Sequence, residues 1–125
     1  MMKDEDVMKL CDHIRETSLS IHTYLKHGHM EKIYENAIVH RLKKQGFTLE
    51  QQHPLKVFDE DGTILGDYVA DLFIEQNLIV EIKACRTLAE EHIAQILGYL
   101  RASRMRHGLL INFGAPKLQL KKLVL

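Results

Sequence analysis

The sequence is poor in cysteine, and its two cysteines, Cys11 and Cys85, stand alone with no Cys-x-x-Cys pair. That spacing excludes a thiolate zinc site and suits a reducing, cytoplasmic setting. No apolar run approaches membrane-spanning length, so no membrane role is expected. The opening MMKDEDVMKL lacks a basic stretch followed by an apolar core, so a signal peptide is not expected. Repeats, linkers and low-complexity segments are missing too. Net charge is absent: 17 Lys and Arg balance 17 Asp and Glu, so no global field draws nucleic acid. Eight histidines are present but show no ligand spacing, which leaves a zinc protein as the weakest reading. Locally, acid is what is lacking. Residues 101–125 carry Arg101, Arg104, Arg106, Lys117, Lys121 and Lys122 and no Asp or Glu. The first four are the candidate phosphate contacts; a solvated basic edge is the plain alternative.

What is present is one domain's worth of chain, residues 1–125, 46% hydrophobic and 27% charged, as in ordinary soluble proteins. A first helix, capped by Asp4 or Asp6, is expected to about Lys26, with Val7, Leu10, Cys11, Ile14, Ile21 and Leu25 on one stripe. Gly28 marks a turn. A second helix, about Met30 to Gln45, has Ile33, Ala37, Ile38 and Leu42 as its apolar side and Glu31 and Glu35 in its first turns, where acids favour the helix dipole. Phe47–Phe58 and Ile64–Ile74 read as strands joined by a turn at Asp59–Gly62, with Pro54 suggesting a bulge or an edge. Thr87 is the expected cap of a third helix, Leu88–Ser103. Two strands follow, His107–Phe113 and an edge strand within Lys117–Leu125. The order is ααβββαββ: an α/β chain with a central mixed sheet flanked by helices, the helix after the third strand crossing over to a parallel neighbour.

The most informative stretch is Asp67–Arg86. Two short apolar runs, Val69–Ile74 and Leu78–Ala84, flank Glu75-Gln76-Asn77 and read as a β-hairpin. Both runs contain charge: Asp71 in the first, Glu81 and Lys83 in the second. A three-residue loop, with Asn77 in the left-handed region, pairs Ile74 with Leu78 and sets Asp71 opposite Glu81 on one face. Lys83 shares that face, because side chains alternate along a strand. Two carboxylates that close repel unless a cation or a proton intervenes. Lys83 supplies part of that charge and a divalent ion would supply the rest. A structural ion pair between Lys83 and Glu81 is the bland alternative.

Asp71 followed by Glu81-x-Lys83 resembles the PD-(D/E)xK phosphodiesterase signature, with Ala70 in place of its proline. Gly28-x-x-Glu31-x-x-Tyr34 matches the motif that names the GxxExxY family, and Gln95-x-x-x-Tyr99-Leu100 and Gly108-Leu-Leu-Ile-Asn-Phe-Gly114 match its distal half. The resemblance spans nearly the whole chain and implies a single nuclease-like domain with a restriction-endonuclease-like core and an N-terminal helix. Lys26-His27 stands where members often have Gly-Pro, and Val69 where they often have Arg.

The resemblance implies a metal-dependent nuclease. Asp71 and Glu81 would ligate Mg2+ or Mn2+, with the Ile82 carbonyl as an extra ligand and Glu31 at a second metal or a metal-bound water. Lys83 would act on the attacking water or the transition state, and Gln95 would position water or phosphate. Tyr34 is expected to pack, with its hydroxyl on this network. The partner would be nucleic acid, DNA first, and a homodimer is left open. The alternative is a catalytically silent nucleic-acid- or protein-binding module of the same fold.

Overall fold

The computed structural model describes residues 2–125. Eight elements follow in order: α1 (Asp4–Leu25), α2 (Glu31–Lys44), β1 (Leu49–Phe58), β2 (Ile64–Ile74), β3 (Leu78–Lys83), α3 (Glu90–Ser103), β4 (His107–Asn112) and β5 (Gln119–Val124). The strands form one sheet in the order β1-β2-β3-β4-β5. Among them only β3 and β4 run parallel, with α3 as their crossover. This is the restriction-endonuclease-like arrangement expected from the sequence.

Each face of the sheet carries its own core. Val7, Leu10, Ile14 and Ile21 of α1, with Ile38 and Leu42 of α2, pack on Leu72, Val80, Ile82 and Ile111. Ile96, Tyr99 and Leu100 of α3 pack on Leu55, Ala70, Ile79 and Leu123 on the other face. β3 is central and buried almost throughout. Burying each of its Ile, Leu and Val side chains stabilises the fold by roughly 1.5–3 kcal/mol. A charged residue in such a strand therefore needs a local reason to be there.

Alternation along the first hairpin slips once. Leu72 and Ala70 are two apart and should share a face, yet they lie in opposite cores, as do Leu49 and Leu55. The slip falls between them, where Gln52 takes φ 53°. The flanking pairs Gln51 with Leu72 and His53 with Ala70 place Gln52 opposite Asp71. The switch of face falls opposite the residue that the sequence marks for chemistry.

Several local expectations are corrected. α1 starts after Lys3 with no side-chain cap; Asp4 lies inside the helix and binds Arg106 and His107 instead. α3 starts after Ala89, not Thr87, and the His92 ring accepts the Ala89 N–H at 3.0 Å. The hairpin loop is three residues long, but Glu75 and Gln76 hold the positive φ angles, 52° and 56°, rather than Asn77. Asn77 instead donates its side-chain amide to the Glu75 carbonyl. Ile33 is exposed, and Tyr34, Glu35, Ile38, Val39 and Leu42 form the buried side of α2.

Candidate active site

The β2–β3 ladder pairs Ile74 with Leu78, Phe73 with Ile79 and Leu72 with Val80. Beyond Leu72 the strands part, and side chains replace the backbone. Glu81 Oε2 accepts the Asp71 N–H at 2.6 Å, and Asp71 Oδ2 accepts the Ile82 N–H at 2.8 Å. The two carboxylates are thus crossed over the gap, each held by a main-chain donor. Glu81 is only 4% exposed. Burial, and then the charge of Asp71, pushes its pKa up to about 8. Burial also raises Asp71, against the pull of the Ile82 N–H, and the charge of Glu35 adds to the rise. Lys83, two residues past Glu81, donates to Gln95 Oε1 of α3 at 3.1 Å. Tyr99, one turn further along α3, packs beside Tyr68 with ring centroids 5.0 Å apart. Burial, then the charges of Glu81 and Asp71, pushes its hydroxyl up to about 12.

The profile of the PD-(D/E)XK nuclease superfamily matches residues 8–123, nearly the whole chain. The chain belongs to this superfamily. A search of curated proteins finds no match. Among solved structures, the crystal structure of SSO0001 is similar with a TM-score of 0.60 at 18% identity. The match covers 74% of this chain and 48% of that one, so this chain accounts for about half of the length of that structure and shares its fold.

PD-(D/E)XK nucleases generally use divalent metal ions. Among the described residues no three His, Cys, Asp or Glu side chains stand in metal-holding geometry, so the candidate donors are the carboxylates of Asp71 and Glu81. Asp71 and Glu81 each have a second oxygen outside the main-chain bonds. With Glu31 and Glu35 they crowd negative charge into one place, beside the ammonium of Lys83. Oxygen donors with excess negative charge suit a hard cation such as Mg2+ or Mn2+.

The GxxExxY stretch divides its work. Gly28, at φ 113°, lets the chain turn between α1 and α2. Tyr34 is fully buried and stacks on Phe113 at 4.6 Å. Its hydroxyl donates to the Lys26 carbonyl at 2.6 Å and accepts the His29 N–H at 3.1 Å. It pins the loop around Gly28 rather than joining the carboxylate network. Glu31 stands exposed at the mouth, within reach of the charges of Lys83 and Asp71. Desolvation raises its pKa, opposed first by the Lys83 ammonium.

Three further residues belong to this centre. Glu35 is 3% exposed. It accepts from Lys32 at 3.0 Å, from Gln51 at 2.8 Å and from Gln52 at 3.2 Å. The Gln52 amide also reaches Asp71 Oδ1 at 3.5 Å. A non-glycine residue at φ 53° costs about 1–3 kcal/mol, and such strain gathers at functional sites. Asn112, fully buried on β4 beside Lys83, locks the chain that follows Lys83. Its Oδ1 accepts the N–H groups of Cys85 and Gly114 at 2.9 and 3.0 Å, and its amide donates to the Cys85 carbonyl and to Gln119. A Cβ on Gly114 would lie 2.3 Å from the Cys85 nitrogen, so only glycine fits there.

The basic residues of the last quarter do not share one surface. β4 runs from His107, beside Leu78, to Asn112, beside Lys83. Arg104 and Arg106 precede its start, roughly 17 Å of strand from the Lys83 end. Arg106 is paired with Asp4 at 2.9 Å, both side chains being exposed. Lys122 binds the His107 ring at 2.9 Å. Lys117 follows the turn at the Lys83 end and is exposed. Arg101 and Arg104 line an open cleft of about 490 Å³ with Phe58, Tyr68, Asp59 and Glu60.

Proposed function

We propose that the chain is a Mg2+- or Mn2+-dependent nuclease of the GxxExxY type, acting on DNA. The observation that carries this is the crossed Asp71–Glu81 pair at the parting of β2 and β3, with Lys83 directed by Gln95. Asp71, Glu81 and the Ile82 carbonyl would hold the ion, with Glu31 at the mouth. Bound there, the ion supplies Lewis acidity and an acidified water. Lys83 brings its ammonium to the phosphate or the nucleophile, and Gln95, by accepting a hydrogen bond from it, fixes where it points. Arg101, Arg104 and Lys117 take phosphates of the substrate. Phe58 and Tyr68 beside the two arginines offer ring faces for unpaired bases.

A second reading is a silent module of the same fold. It is favoured by the oxygens that Asp71 and Glu81 spend on main-chain donors, and by the lack, among the described residues, of three His, Cys, Asp or Glu side chains in metal-holding geometry. The test is cleavage of single-stranded, duplex and branched DNA with Mg2+ or Mn2+. Metal-dependent cleavage lost in Asp71→Asn and Lys83→Ala is the expected result. Nucleic-acid binding with no cleavage under any ion would favour the silent module.

A further inference from the structure

We infer that Gln52 is a positioning residue, whose left-handed backbone aims its amide between Glu35 and Asp71 and holds these two carboxylates together ahead of metal. The inference rests on the nuclease reading of the same centre. Its starting point is the backbone. Gln52 sits in the middle of β1, where a residue should be extended, yet its φ is 53°. The pairing on either side keeps one register, so no residue is inserted there to force the turn. Gln52 is exposed, so packing of its own side chain does not hold it there, although the switch of face also sends Leu49 and Leu55 into opposite cores. What the conformation gains is visible in the hydrogen bonds. The Gln52 Nε2 lies 3.2 Å from both oxygens of Glu35 and 3.5 Å from Asp71 Oδ1.

Glu35 and Asp71 come from different elements, α2 and β2. Among the described residues no other side chain bridges them. Gln51 bonds Glu35 and Asn36, and Lys32 bonds Glu35; neither bonds Asp71. A neutral amide bridge is suited to the task. It offers donors to two like charges but brings no charge of its own to compete with a cation. An arginine or lysine there would fill the place of the metal. The amide leaves the excess negative charge intact for it.

Two substitutions separate side chain from backbone. Gln52→Gly takes the left-handed region without strain and removes the amide. Gln52→Asn also tolerates that region, but its amide is one methylene short. Mg2+ and Mn2+ titrations by calorimetry, on the whole metal-free chain, are paired with thermal unfolding. The expected result is a midpoint that does not fall in Gln52→Gly, with affinity weakened about ten- to a hundredfold in both variants, as for other residues that orient ligands. Should Gln52→Gly fold poorly, Gln52→Asn carries the same affinity reading. Wild-type affinity in the variants overturns this inference alone. Absence of Mg2+ and Mn2+ binding by the wild-type chain overturns the nuclease reading and this inference with it.

Discussion

The main-chain N–H of Asp71 donates to the carboxylate of Glu81 at 2.6 Å, so a side chain continues the hairpin ladder where the strands have parted. Under the proposed nuclease reading Glu81 thereby takes two roles that conflict. As a ladder acceptor it can be neutral or charged; as a metal ligand it must be charged. Its folded-state pKa, about 8, lies above its ordinary 4.5. The stability gained from its neutral form is therefore full below about 4.5 and is lost as pH rises through about 8.

Unfolding of the metal-free protein across that window should show stability falling with pH, by something on the order of a few kcal/mol in all. Glu81→Gln keeps an acceptor for Asp71 and should flatten the fall. Mg2+ should stabilise the wild type increasingly as pH rises, because the ion needs the deprotonated carboxylate. A pH profile identical in wild type and Glu81→Gln would show that Glu81 is not the group responsible.

Lys83→Ala should retain Mg2+ binding and lose cleavage, since its ammonium meets Gln95 and not the carboxylates in hydrogen bonds. Gln95→Ala should lower kcat by less, about ten- to a hundredfold, in line with other groups that orient a catalytic residue. Cleavage at the wild-type rate in Lys83→Ala would remove this residue from the chemistry.

Glu31 and Glu35 are one helical turn apart and should respond differently. Glu35→Ala leaves the Gln51 and Gln52 donors without their acceptor and should cost about 1–3 kcal/mol of stability in urea unfolding. Glu31→Gln changes an exposed group and should leave the midpoint in place while lowering activity. Equal stability in both variants would contradict the burial of Glu35.

This contrast shows where the sequence was legible. The element order, the register of Ile74 with Leu78 and the approach of Asp71 to Glu81 follow from alternation and loop length, which are local. The burial of Glu35 had a readable signal: Val39 and Leu42, four and seven residues on, continue its face of α2. A first-turn acid explained by the helix dipole obscured it. The left-handed Gln52 and the fourfold bonding of Asn112 had no such signal. Both depend on contacts between segments distant in sequence. The pairing of Arg106 with Asp4, at the other end of the chain, had no local signal for the same reason.

Arg101→Ala with Arg104→Ala should weaken DNA binding and reduce the dependence of log affinity on log salt by about one to two units, since each arginine that neutralised a phosphate had released a counterion. Arg106→Ala should leave that slope unchanged and instead loosen the start of α1, seen as faster amide exchange around Val7. A slope that falls only with Arg106→Ala would reverse the assignment.

Asn112 holds the chain just past Lys83. Its side-chain oxygen accepts two N–H groups and its amide donates twice, so all four of its hydrogen-bonding positions are filled in a fully buried place. Asn112→Ala strands the Cys85 and Gly114 N–H groups away from water, at about 1–3 kcal/mol each before relaxation. Asn112→Asp keeps the acceptor, loses both donors and buries a charge. Both variants should be less stable in urea, and amide exchange at Cys85 and Gly114 should quicken by more than at Ile79 or Leu110 in the middle of the sheet. In a folded Asn112→Ala sample held well below its unfolding midpoint, Mg2+ affinity should stay near wild type while cleavage falls, because Asp71 and Glu81 are held by their own main-chain donors whereas the segment that follows Lys83 is held by Asn112. Wild-type exchange at Cys85 together with wild-type cleavage would show that the segment holds its place without Asn112.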